Sequence, residues 1–78
     1  MKIIVLNIPR NIKDTEIKNL FSEYGVVESC SLVMDAERGM SKGFGFVEMP
    51  DAEEANAAIA ALHSKQVGNQ KIRVKFSQ

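Results

Sequence analysis

Residues 42–49 read Lys42-Gly43-Phe44-Gly45-Phe46-Val47-Glu48-Met49. Side chains on a strand alternate between two faces, so Gly45, Val47 and Met49 share one side. Lys42, Phe44, Phe46 and Glu48 share the other. The first set is apolar or very small, as a face turned to a core requires. The second puts two phenylalanines at alternate positions beside a cation. A face that only met solvent would have no need of two rings.

The flanking sequence fixes what this strand belongs to. Residues 26–34 alternate as well: Cys30, Leu32 and Met34 fall on one face, and Ser29, Ser31 and Val33 on the other. This is the pattern of a half-exposed strand. Residues 35–41 form a polar loop containing Gly39. Residues 2–7 are β-branched and apolar, with Ile3 and Val5 against Lys2, Ile4 and Leu6, and Pro9 ends the run. Residues 14–24 predict a helix, because Ile17, Leu20, Phe21 and Tyr24 recur at helical spacing and Asp14 and Glu16 suit the positive first turn. Gly25 follows as a terminator.

After Pro50, Asp51 and Glu54 make a capping-box-like pair, and Ala55, Ala58, Ile59 and Leu62 give a second helical stripe. Residues 64–71 read as a loop. Ile72, Val74 and Phe76 then alternate with Arg73, Lys75 and Ser77 in a last strand. The order β-α-β-β-α-β predicts an α+β, ferredoxin-like sandwich: a four-stranded antiparallel sheet with both helices on one face. The inward set is Ile3, Val5, Cys30, Leu32, Met34, Val47, Met49, Ile72, Val74 and Phe76. The opposite face, bearing Phe44 and Phe46, is open.

Composition narrows the function classes. The chain has 78 residues, ten of them Lys or Arg and ten Asp or Glu, so its formal net charge is zero. This length predicts one domain, residues 1–78, with little depth for a catalytic cleft. No apolar run approaches the roughly 20 residues of a membrane span, so no membrane contact is expected. Cys30 is the sole cysteine, which allows neither an internal disulfide nor a cysteine cage for metal, and it points to a reducing, cytoplasmic setting. By parity it is a buried core thiol. His63 stands alone at a helix end, where it caps carbonyls or meets solvent. No nucleophile–base pair, paired carboxylate or metal cluster marks an enzyme, and no cofactor is implied.

Zero net charge argues against nucleic acid only if charge is spread evenly. The helical stretches 13–23 and 51–65 hold six acids against three bases, and the remainder holds seven bases against four acids. The helices cover the back of the sheet, so the open face is mildly basic, and local charge is what attracts phosphate.

The string at 42–49 resembles the octamer of the RNA recognition motif family: basic, Gly, aromatic, Gly or Ala, aromatic, aliphatic, any residue, aromatic. Met49 departs at the closing aromatic. Residues 3–8, Ile3-Ile4-Val5-Leu6-Asn7-Ile8, resemble the family's hexamer, with Ile4 at its aromatic position and Leu6 where Gly is common. Pro9, Leu20-Phe21, Tyr24-Gly25, Asp35 and Ile72-Arg73-Val74 agree as well, and the likeness runs along the whole chain. A lone domain without tails is similar to the family's small bacterial members.

The resemblance implies single-stranded RNA binding, with single-stranded DNA as a secondary ligand, in post-transcriptional regulation or RNA chaperoning; a monomer is expected. It implies that Phe46 stacks under one base and Phe44 lies against ribose. Lys42 holds a phosphate, and Arg73 and Lys75 meet phosphate or base edges. Lys2, Ile4 and Leu6 complete the surface, with Ile4 covering a base without aromatic stacking. Two other readings of the rings stand beside this one: plain strand formers, or a sheet face that binds a protein partner.

Overall fold

A computed structural model describes residues 1–77. Strand β1 (Lys2–Leu6) leads to helix α1 (Asp14–Ser22), then to strands β2 (Ser29–Asp35) and β3 (Met40–Glu48). Helix α2 (Ala52–Leu62) follows, then two very short strands, β4 (Gln66–Val67) and β5 (Gln70–Lys71), and finally β6 (Arg73–Ser77). The main sheet runs β2-β3-β1-β6 and its paired strands are antiparallel. The predicted architecture is therefore present. The expected loop at 64–71 instead contains a β4–β5 hairpin, a separate two-stranded sheet.

Ile3, Val5, Val47, Met49, Ile72 and Val74 are buried with Ile17 and Phe21 of α1 and with Ala55, Ala58 and Leu62 of α2. The alanines allow α2 to lie close on the sheet. Four members of the expected inward set are not fully buried, Leu32 among them, which packs partly covered against the core. Met34 is 55% exposed and Phe76 52%, while Cys30 is only partly covered. Parity assigns a side but not a cover. The β2–β3 register slips between Leu32 and Met34, and β2 is an edge strand of the sheet. Phe76 lies near the end of β6, the other edge strand. Partial burial, then the Asp14 carboxylate, push the Cys30 thiol pKa up, with Lys18 opposing. The thiol therefore stays protonated, and its Sγ donates to the Asp14 main-chain oxygen at 3.4 Å.

The helix ends follow from their residues. Asp51 caps α2, its side chain accepting from the Glu54 main-chain N–H at 3.0 Å. The reciprocal half of the box is replaced by a longer-range contact: Glu54 Oε1 accepts from the Val26 N–H at 3.2 Å and so ties α2 to the turn after α1. Lys13, at the start of α1, makes no side-chain cap bond. His63 neither caps carbonyls nor faces solvent unengaged. Its Nδ1 accepts from the Val74 N–H at 3.1 Å and pins the end of α2 to β6. Asp51→Ala is expected to lower stability by about 1 kcal/mol, the usual cost of an N-cap acceptor, as read by urea unfolding.

Candidate nucleic-acid interface

Alternation on β1, β3 and β6 sends one set of side chains to the face without helices. Register brings that set into rows. Phe46 stands opposite Ile4 on β1 and opposite Ser31 on β2, and Ile4 stands opposite Lys75 on β6. One row therefore runs Ser31, Phe46, Ile4, Lys75. Lys2 pairs with Glu48 and Ser77, and Leu6 with Arg73. Lys2, Lys42, Arg73 and Lys75 are exposed, while Ile4, Leu6, Phe44 and Phe46 are half-buried. All eight expected residues thus share this face, with apolar groups in the middle and cations around them.

The two rings are not equivalent. Phe44 and Phe46 lie 6.4 Å apart, centroid to centroid, with planes at 82°. A flat base parallel to one ring is perpendicular to the other, so the pair offers one stacking plane and one upright wall. The Lys2 ammonium sits 4.7 Å from the Phe46 centroid, a cation–π contact.

The glycines of the 42–49 string serve the sheet. Gly43 has φ of 89°, in the region that disfavours side chains, and its carbonyl accepts from the Ile8 N–H at 2.8 Å. Gly45 lies where β2 crowds closest: a Cβ there would overlap the Ser31 carbonyl and Leu32. The space Gly45 leaves is filled by a neighbouring strand, not kept for a ligand.

At the Phe44 end the face continues into a shallow depression of about 600 Å³ that Leu6, Lys42 and Phe44 share with Arg10, Asn7 and Gln70. The last three were not among the expected site residues. Gln70 and Asn7 meet through hydrogen bonds 63 positions apart, and such a distance leaves no mark in a local pattern.

The chain is similar to known proteins in sequence and in fold. The 28 kDa chloroplast ribonucleoprotein of Spinacia oleracea is 39% identical over 77 residues, which is 99% of this chain and 33% of that protein. Small ribosomal subunit protein cS22 of the same plant is 36% identical over 99% of this chain and 30% of its own length. The chain thus spans about a third of the length of these relatives. Among solved structures, the RNA-binding protein PG1 superposes with a TM-score of 0.91 at 37% identity, covering 96% of this chain and 90% of that one. A Sex-lethal protein–RNA complex gives a TM-score of 0.93 at 27% identity, over 99% of this chain and 46% of that one. The model of the RNA recognition motif matches residues 3–73, and the chain belongs to that family.

Proposed function

We propose that the helix-free sheet face binds single-stranded RNA. The observation that carries this reading is a half-exposed Phe46 in a row with Ile4 and Lys75, with the Lys2 cation against its ring. A base stacks on Phe46, and Ile4 extends the apolar platform beneath its neighbour. Phe44, perpendicular to Phe46, lies against the intervening ribose. Lys42, Arg73, Lys75 and Lys2 take phosphates at the rim. Single strands fit because their bases are free to splay onto rings. The same contacts serve single-stranded DNA wherever no 2′-hydroxyl is read. The domain acts as a monomer in a cytoplasmic setting and does no chemistry on its ligand. Regulation after transcription or RNA chaperoning needs only this surface. The RNA-bound Sex-lethal structure and the chloroplast ribonucleoproteins support the reading.

Ile4, Leu6 and Val33 give the face enough apolar area for a protein partner instead. Calorimetric titration with short single-stranded RNA and with an RNA duplex separates the two. Saturable binding of the single strand alone supports the proposal, and no heat with any RNA leaves the protein-partner reading. Affinity is expected to fall with salt on a shallow slope. Lys42→Ala is expected to reduce that slope by at most about one unit, as the loss of one phosphate contact dictates.

A further inference from the structure

We infer that the depression beside Phe44 is a base-edge subsite in which Gln70 reads one nucleobase through its Oε1 oxygen. The inference rests on the RNA-binding reading above.

The direction of the hydrogen bonds there is fixed from one end. The Lys71 main-chain oxygen can only accept, and the Asn7 side chain donates to it through Nδ2 at 2.9 Å. Asn7 must therefore turn its Oδ1 the other way, as an acceptor. Gln70 Nε2 donates to that Oδ1 at 3.2 Å and to the Asn7 main-chain oxygen at 3.1 Å. Gln70 Nε2 is thus committed to Asn7, and the atom its amide turns away from Asn7 and can offer a ligand is the Oε1 acceptor. Asn7 holds φ of 58°, a left-handed conformation that asparagine tolerates better than most residues. This bend places its two oxygens within reach of Gln70. The β4–β5 hairpin is thereby fastened to the end of β1, and Gln70 becomes a fixed wall of the depression.

The rest of the lining suits a nucleotide. Phe44 and Leu6 supply an apolar side, and Arg10 and Lys42 supply cations for a carbonyl or phosphate oxygen. The volume of about 600 Å³ is within the usual range of small-ligand sites, about 300–1,000 Å³. It opens directly off the Phe44 end of the face, so a strand lying along the rings reaches it with its next nucleotide. The acceptor takes a base that turns an N–H to it.

The test uses a short RNA pool randomised at every position, with the wild-type protein and Gln70→Ala. The wild type is expected to discriminate among bases at one nucleotide by about fivefold, the size of one net hydrogen bond. Gln70→Ala is expected to flatten preference at that nucleotide and leave the others unchanged. Methylating the N–H donor of that base should cost the wild type the same factor and Gln70→Ala nothing. Should Gln70→Ala fail to fold, the methylated RNA on the wild type decides alone. An unchanged preference profile in Gln70→Ala, or full wild-type affinity for the methylated base, overturns the role of Gln70 and leaves RNA binding standing. A wild type that binds no member of the pool overturns RNA binding itself.

Discussion

Phe46→Ala is expected to weaken single-stranded RNA binding by about 1–3 kcal/mol, the measured range for loss of one stacking platform. The effect is large because the face offers little else of that kind. Ile4 occupies the neighbouring position on β1 without a π-system, and Phe44 stands at 82° to Phe46. The substitution also leaves Lys2 without the ring it rests on, at 4.7 Å from the centroid. Stability should change much less than affinity, since Phe46 is half-exposed on the side away from the core. Phe46→Tyr keeps the ring and should bind nearly as well as the wild type. Calorimetry on the three proteins with one RNA checks this. Equal affinity in Phe46→Ala would remove Phe46 from the stacking role.

Gly45→Ala is expected to cost about 1–3 kcal/mol of folding stability, the typical penalty for forcing extra volume into a packed site. Gly45 faces Val5 on one side and Leu32 on the other, in the centre of the sheet. The added methyl would strike the Ser31 carbonyl and the Leu32 backbone and side chain. The Ser31 carbonyl and the Leu32 Cα are backbone of β2 and cannot swing aside as a surface side chain does, so β2 must shift away from β3. In a domain of this size the loss corresponds to about 4–8 °C in Tm for each kcal/mol. Thermal unfolding followed by circular dichroism reads it directly. A Tm equal to the wild type would mean that β2 yields without strain.

Much of this was legible in the sequence because strands and helices stamp different periods on a chain. The two-residue alternation at 42–49 separated Phe44 and Phe46 from Val47 and Met49, and the structure keeps that separation. The helical stripe at Ile17 and Phe21 likewise became core. What was not legible was cover. Met34 has the parity of a core residue, yet it lies on an edge strand, just past the slip in the β2–β3 register, and stays exposed. Phe76 meets the same fate on β6. The β4–β5 hairpin was missed because each strand is two residues long, too short to show alternation. Gln70 and Asn7 escaped for a related reason, since their contact exists only once the hairpin folds back on β1. His63 was placed correctly at a helix end, but its partner, the Val74 N–H, lies on a strand that local sequence does not connect to it.

The balanced charge retains a consequence for affinity. Lys2, Lys42, Arg73 and Lys75 are the cations of the proposed face, and Glu48 beside Lys2 offsets part of their attraction. Few phosphates are neutralised, so binding should be modest and carried mainly by the rings. The most direct test is chemical-shift mapping of the wild-type protein during titration with short single-stranded RNA. The expected result is that Ile4, Phe44, Phe46, Arg73 and Lys75 shift together and saturably while α1 and α2 stay still. Shifts confined to the helices, or none in Phe44 and Phe46 with any RNA, would contradict the assignment of this face as the RNA-binding surface.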